Sequence, residues 1–185
     1  MKFLRFLWEI VKMVIISLAI IIPVRYFLIQ PFYVKGASME PNFHDHEYLV
    51  IDEISYRLGE VNRGDVVVFR YPFDPQEYFI KRVIGLPGES VQIRDGDVYV
   101  YNDEHPDGFK LQEGYLYNNL KTTSLTEVKI QVAEDEYYLL GDNRLASKDS
   151  RVFGPVNKSF IIGRVFFRGW PFNKISMFND VIYQD

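Results

Sequence analysis

The sequence predicts a mainly β protein, in which an N-terminal transmembrane helix precedes an antiparallel β-sheet core with a β-rich insertion. Three observations predict it. Residues 1–30 are apolar with sparse charges. After Pro31 the pattern changes to short β-prone runs divided by turn signals. Aromatic residues make up 16% of the chain, with 13 Tyr and 15 Phe, and aromatic side chains suit strands.

The uninterrupted apolar stretch of the opening segment is residues 13–24, twelve in all. A bilayer span needs ~20, so full length requires Lys12 or Arg25 to lie near an interface and snorkel. Residues 14–22 are apolar on every face except at Ser17, which suits lipid better than a one-sided protein core. A cleavable leader would show a small-x-small site after its apolar region; here IIPVRYFLIQPF follows instead. Lys2, Arg5 and Lys12 precede the stretch, which places the N-terminus in the cytoplasm and the rest of a single-pass chain outside it, at the cell membrane.

The runs FYVKGASM, HEYLVIDEISY, GDVVVFRYP, EYFIKRVIGLPG, SVQIRDGDVYVYND, EVKIQVAEDEYYLLGDN and SFIIGRVFFRGWPF read as strands, with NRGD, PFDPQ, LPGE and FGPVNK as turns. IRDGDVYV reads as a hairpin closed at Asp95-Gly96. No helix-period segment of useful length follows residue 31, so a barrel or sandwich is expected. Residues 105–126 are more polar and less regular. The predicted division is 1–30 for the cytoplasmic N-terminus and anchor, 31–95 and 136–185 for two halves of the core, and 96–135 for the insertion.

Charge and composition exclude several classes. There are 21 basic and 25 acidic residues, a formal charge of −4, so no basic field for nucleic acid exists. The absence of cysteine excludes disulfides, thiolate metal sites and a thiol nucleophile. The three histidines, His44, His46 and His105, sit in polar turns, without the companions a metal site needs.

Two residues stand out against this background. Ser38 follows small residues in VKGASMEPNF, where Gly36 and Pro41 favour a turn that presents the hydroxyl; a serine bonding its own backbone is the plain alternative. At ~3.3–3.6 Å per residue, the chain from a span ending near Gln30 reaches at most roughly 26–29 Å to Ser38, so its target lies near the bilayer surface. Lys81 sits in a strand-like run, sharing a face with Phe79 and Val83, while Arg82 shares the other with Ile80 and Ile84. A lysine there either snorkels to water or is held neutral. Lysine can serve as base to a serine, and bringing its pKa from ~10.4 to about 8 takes ~3.3 kcal/mol, which burial among apolar groups supplies. Arginine stays protonated, so Arg82 is suited to an ion pair. A third stretch, YYLLGDNRLASKDSRVFGP, is either an ordinary loop of Asx turns or a hydroxyl and carboxylate that orient the amine while arginines anchor the loop.

In order after the anchor, GASMEP, GDVVVFRYP, FIKRVIGLPGE and GDNRLASKDSR resemble type I signal peptidases, the membrane-bound Ser–Lys endopeptidases that remove leader peptides from exported proteins. The likeness runs from about Val34 to Pro171. A single span and small size resemble the form common in bacteria with one membrane.

The resemblance implies Ser38 as nucleophile and Lys81 as general base. It implies that Ser147 hydrogen-bonds the Lys81 amine, that Asp142 and Asp149 pair with Arg82 and Arg151, and that Met39 packs beneath the nucleophile. The Ser38 amide would donate to the oxyanion. Gly36 stands where some members have a serine as second donor, which leaves a backbone N–H or a water for that task. The fold implied is two antiparallel sheets. The substrate would be a preprotein signal peptide, bound as an extended strand beside FYVKGASM, with small side chains at the first and third positions before the cleaved bond. No cofactor or metal is implied. The lipid bilayer is the other partner, nucleic acid is not, and a monomer is expected. The rival reading is a membrane-anchored β-domain that binds a partner without catalysis. The self-cleaving repressors share Ser–Lys chemistry, but carry a DNA-binding segment where this chain has an apolar one.

Overall fold

A computed structural model describes residues 2–27, 30–54, 56, 59–124 and 127–178. Helix α1 spans Lys2–Phe27, and its apolar side chains from Phe3 to Ile22 are exposed. Among the described residues, no helix is long and apolar enough to cross a membrane.

The remainder is antiparallel sheet. Strands β1 (Gln30–Tyr33), β2 (Tyr48–Asp52), β3 (Val66–Tyr71), β4 (Asp74–Gly85), β9 (Glu136–Leu140), β10 (Val156–Asn157) and β11 (Ile161–Trp170) form the large sheet, ordered β1-β2-β11-β3-β4-β9-β10, with β12 (Ser176–Met177) on β11. Strands β5 (Ser90–Arg94), β6 (Asp97–Tyr101), β7 (Phe109–Lys110) and β8 (Ile130–Gln131) form a second sheet, ordered β7-β6-β5-β8. That sheet starts at Ser90, upstream of residue 96. The β5–β6 turn has Asp95 and Gly96 at φ 54° and 80°, the paired left-handed conformations that a two-residue hairpin requires.

Three runs fold differently from their sequence reading. FYVKGASM ends as a strand at Tyr33 and continues as turns, because Gly36 takes φ +88° and leaves the extended region. EVKIQVAEDEYYLLGDN divides into β8 and β9, which belong to different sheets, at a turn closed by Glu136 N donating to Ala133 O at 3.0 Å. Short helical turns interrupt the strands, among them α2 (Ser150–Phe153), capped by Asp149.

The centre of the large sheet is dry on both faces. Along β3, Val66 and Val68 join one core cluster with Met39, Phe43, Leu49 and Ile51, while Val67 and Phe69 join another with Val83 and Leu139. Strand β4 runs beside β3 with Val67 opposite Lys81. The strand's alternation therefore delivers Lys81 to the second cluster's face.

Candidate active site

Ser38 is held by turns clamped from two sides. The Gly36 amide donates to Asp45 Oδ1 at 3.0 Å. The Asn143 amide donates to the Ser38 carbonyl at 3.1 Å, and its side-chain Nδ2 donates to the Ala37 carbonyl at 3.0 Å. Met39 is 1% exposed in the first core cluster, so the residue after the serine anchors the turn.

Lys81 is 3% exposed. Its Nζ lies 2.7 Å from Ser38 Oγ and donates to the Ile80 carbonyl at 2.8 Å. The amine stands 5.4 Å from the Phe79 ring centroid. Burial pulls its pKa from 10.5 down to about 8; the carboxylates of Asp149 and Asp142 work in the opposite direction, and the Arg151 guanidinium helps to lower it. At pH 7 a group of pKa 8 is neutral in about one molecule in ten, against one in a few thousand for a free lysine.

The two carboxylates are engaged by arginines. Arg82 donates to Asp142 through Nε at 2.8 Å and Nη2 at 2.6 Å, and to the Gly64 carbonyl at 2.9 Å. Arg151 donates to Asp149 through Nε at 2.8 Å and Nη2 at 2.7 Å. Asp149 also accepts from the Gly141 amide at 3.0 Å. Each bidentate pair spends carboxylate charge locally, which leaves desolvation as the dominant influence on Lys81.

The resemblance implies that Ser147 bonds the Lys81 amine; in the structure it does not. Its Oγ is buried without a hydrogen-bond partner. The amine's two contacts go to Ser38 and to the carbonyl of its own neighbour Ile80 instead. The hydroxyl packs against Gly141, where an added Cβ would lie 2.1 Å from Ser147 Oγ and 2.5 Å from the Ser38 carbonyl. Gly141 is thus the residue that lets the GDNR turn and the serine turn approach.

A groove of about 610 Å³ opens at this pair. Phe32, Tyr33 and Val34 line one wall and residues 76–81 of β4 the other, with Leu49 and Val68 contributing apolar surface. Strand β4 pairs with β9 only at Arg82, Val83 and Gly85, so its earlier residues face the groove with a free edge.

The family model of signal peptidase, peptidase S26, matches residues 7–170. Signal peptidase I of Bacillus licheniformis is 36% identical over 177 residues, covering 91% of each chain. Signal peptidase IB of Staphylococcus aureus is 35% identical over 174 residues, covering 86% of this chain and 87% of its own. A crystal structure of a signal peptidase I from Enterococcus faecalis aligns at 31% identity and a TM-score of 0.47, over 57% of this chain and 97% of that one.

This chain belongs to the signal peptidase family. It is an enzyme of the signal peptidase I type, and the rival reading of a β-domain without catalysis is set aside. Within a signal peptidase, the clamp residues Asp45 and Asn143 are the ones that sequence reasoning passed over. Asp45 reads as part of a solvated turn, FHDHE, and Asn143 as an unremarked member of GDNR. The signal available for Asn143 was its place in a turn between two charged residues, Asp142 and Arg144. The Ile80 carbonyl carries no sequence signal, because it is backbone.

Proposed function

We propose that this chain is a membrane-anchored serine endopeptidase that removes N-terminal signal peptides from exported preproteins, cleaving after a small residue with Ser38 as nucleophile and Lys81 as general base. The observation that carries the reading is the 2.7 Å approach of a buried amine to the Ser38 hydroxyl.

The neutral Lys81 amine takes the Ser38 proton as Oγ attacks the carbonyl carbon of the scissile bond. The Ser38 amide is the proposed donor to the oxyanion that forms. The Gly36 amide is committed to Asp45, so the second donor is another group. As the tetrahedral species collapses, the C–N bond breaks and Lys81 returns the proton to the leaving amine. Lys81 then takes a proton from water, whose oxygen attacks the acyl-enzyme, and Ser38 recovers its hydrogen as the leader peptide leaves. A neutral amine has two N–H donors and one lone pair. The lone pair receives the Ser38 proton and the Ile80 carbonyl takes one donor.

The anchor is α1. Its uncovered apolar side chains, among them Ile16, Ile20 and Ile22 at 59%, 60% and 59% exposure, call for an apolar solvent. A full span requires Lys12 or Arg25 to lie near an interface; the N-terminus is cytoplasmic, and the monomeric catalytic domain works outside. Residues 31–95 and 136–185 are the proposed catalytic halves around the 96–135 insertion, whose sheet takes β5 (Ser90–Arg94) from the first half.

The test is incubation of the purified chain in detergent with a preprotein, followed by intact-mass mapping of the cut. Cleavage after a small residue is expected. No cleavage, or an equal cut by a Lys81→Met variant, overturns the reading.

A further inference from the structure

The groove has two chemically different halves, because β4 alternates faces along its free edge. Ile80 packs toward the cluster of Val34, Leu49 and Val68, and the Tyr78 ring meets Phe32 at 5.6 Å. Phe79 and Lys81 project to the opposite face, where Tyr71 stacks on Phe79 at 4.6 Å. Lys148 lies on this second side. It is exposed, its ammonium stands 4.3 Å from the Tyr71 ring centroid, and it lines the same groove as Ser38. Among the described residues, no carboxylate forms an ion pair with it.

A peptide laid extended along the groove sends successive side chains to alternate halves. With the first and third residues before the cleaved bond in the apolar half, the second faces Phe79, Tyr71 and Lys148. Glu77 is the next charged residue on that face, but it is four residues up β4 from Lys81, ~13 Å along the strand, and meets residues further toward the leader.

We propose that Lys148 sets the charge preference at the residue two before the cleaved bond, favouring acidic and disfavouring basic side chains there. The proposal rests on the peptidase reading above. Exposed charge pairs change binding by a small factor, so specificity is tuned here, with turnover left to Ser38 and Lys81.

The test uses the full chain in detergent and three matched preproteins bearing Glu, Gln or Lys at that position. For the wild-type chain, kcat/KM for the Glu form should exceed that for the Lys form roughly three- to fivefold, and the ratio should shrink in high salt. Lys148→Glu should reverse the ratio, and Lys148→Gln should bring it near unity. A ratio that stays at the wild-type value in Lys148→Gln overturns the proposal, whether or not Lys148→Glu folds. Failure of the wild-type chain to cleave even the Gln form overturns the peptidase reading instead.

Discussion

The Lys81 amine and the Ser38 hydroxyl meet at 2.7 Å across 43 residues of sequence. A strand supplies one and a clamped turn the other. Replacing either partner should leave the fold and remove the chemistry. Ser38→Ala and Lys81→Met should each lower preprotein cleavage by at least ~10³-fold, as loss of a nucleophile or its base does elsewhere, while circular dichroism stays at the wild-type signature. Retention of more than a few per cent activity in Lys81→Met would remove the amine from the mechanism.

The amine acts only when neutral, which fixes the direction of the pH dependence. With a pKa near 8, kcat/KM should rise about tenfold for each pH step below 8 and level off above about 9. Removing a carboxylate that holds the amine's proton should move this curve to lower pH. Asp149→Asn should therefore shift the midpoint to the acid side, and Asp142→Asn should do so by less, since Asp149 is the stronger of the two influences. A shift to the alkaline side in either variant would contradict the assignment.

Asp142 has a second task that a stability measurement separates. Its side chain is fully buried against Arg82, itself 5% exposed. In Asp142→Asn the guanidinium keeps the Gly64 carbonyl but faces a neutral amide. Breaking a buried pair from one side costs about 3–5 kcal/mol, and the remaining amide oxygen puts the expected loss near the lower figure. Chemical denaturation should show it. A loss under 1 kcal/mol would mean that water reaches Arg82.

Strand periodicity placed Lys81 on one face with Phe79 and Val83 but left a snorkelling and a neutral amine both open, and the family resemblance chose between them. Arg82 and Asp142 were readable as partners through their motifs, although 60 residues separate them. The serine turn was less legible. Its run looks β-prone, and what bends it is a glycine conformation together with contacts from Asp45 and Asn143, which reach it from 9 and 106 residues away. Local pattern contains no information about such partners. The division of residues 127–143 between two sheets was hidden for a related reason: β8 and β9 have the same alternation, and pairing choice depends on strands elsewhere.

Gly141 offers a test of how tightly the two turns must meet. An alanine there places Cβ 2.5 Å from the Ser38 carbonyl, a backbone atom, and closer still to Ser147 Oγ. The Ser147 hydroxyl can rotate away, but Ser147 Cβ, also 2.5 Å off, and the Ser38 carbonyl can clear the methyl only if the two turns shift, and the nucleophile with them. Gly141→Ala should cost about 1–3 kcal/mol of stability as an overpacked site. It should also reduce kcat about 10²-fold, since displacement by an ångström is enough for that. Unchanged kcat would show that the Ser38 turn tolerates the shift.

The buried amine weakens folding in a way that depends on pH. Its pKa is lowered on folding from 10.5 to about 8, so between those values the unfolded chain binds more protons and stability rises with pH. Below pH 8 the full penalty applies, about 3 kcal/mol. Above pH 10.5 it is absent. Lys81→Met avoids that penalty at neutral pH, gives up the amine's hydrogen bonds and leaves the Ser38 hydroxyl without its partner, at a cost of about 1 kcal/mol. The variant should therefore be about 1–2 kcal/mol more stable than the wild type at pH 7, with the advantage shrinking steadily from pH 8 upward and gone by pH 10.5. Thermal denaturation across this range reads the difference directly. A variant less stable than the wild type at pH 7, with no pH trend, would show an amine that is hydrated and charged in the folded state, and so unable to serve Ser38 as a base.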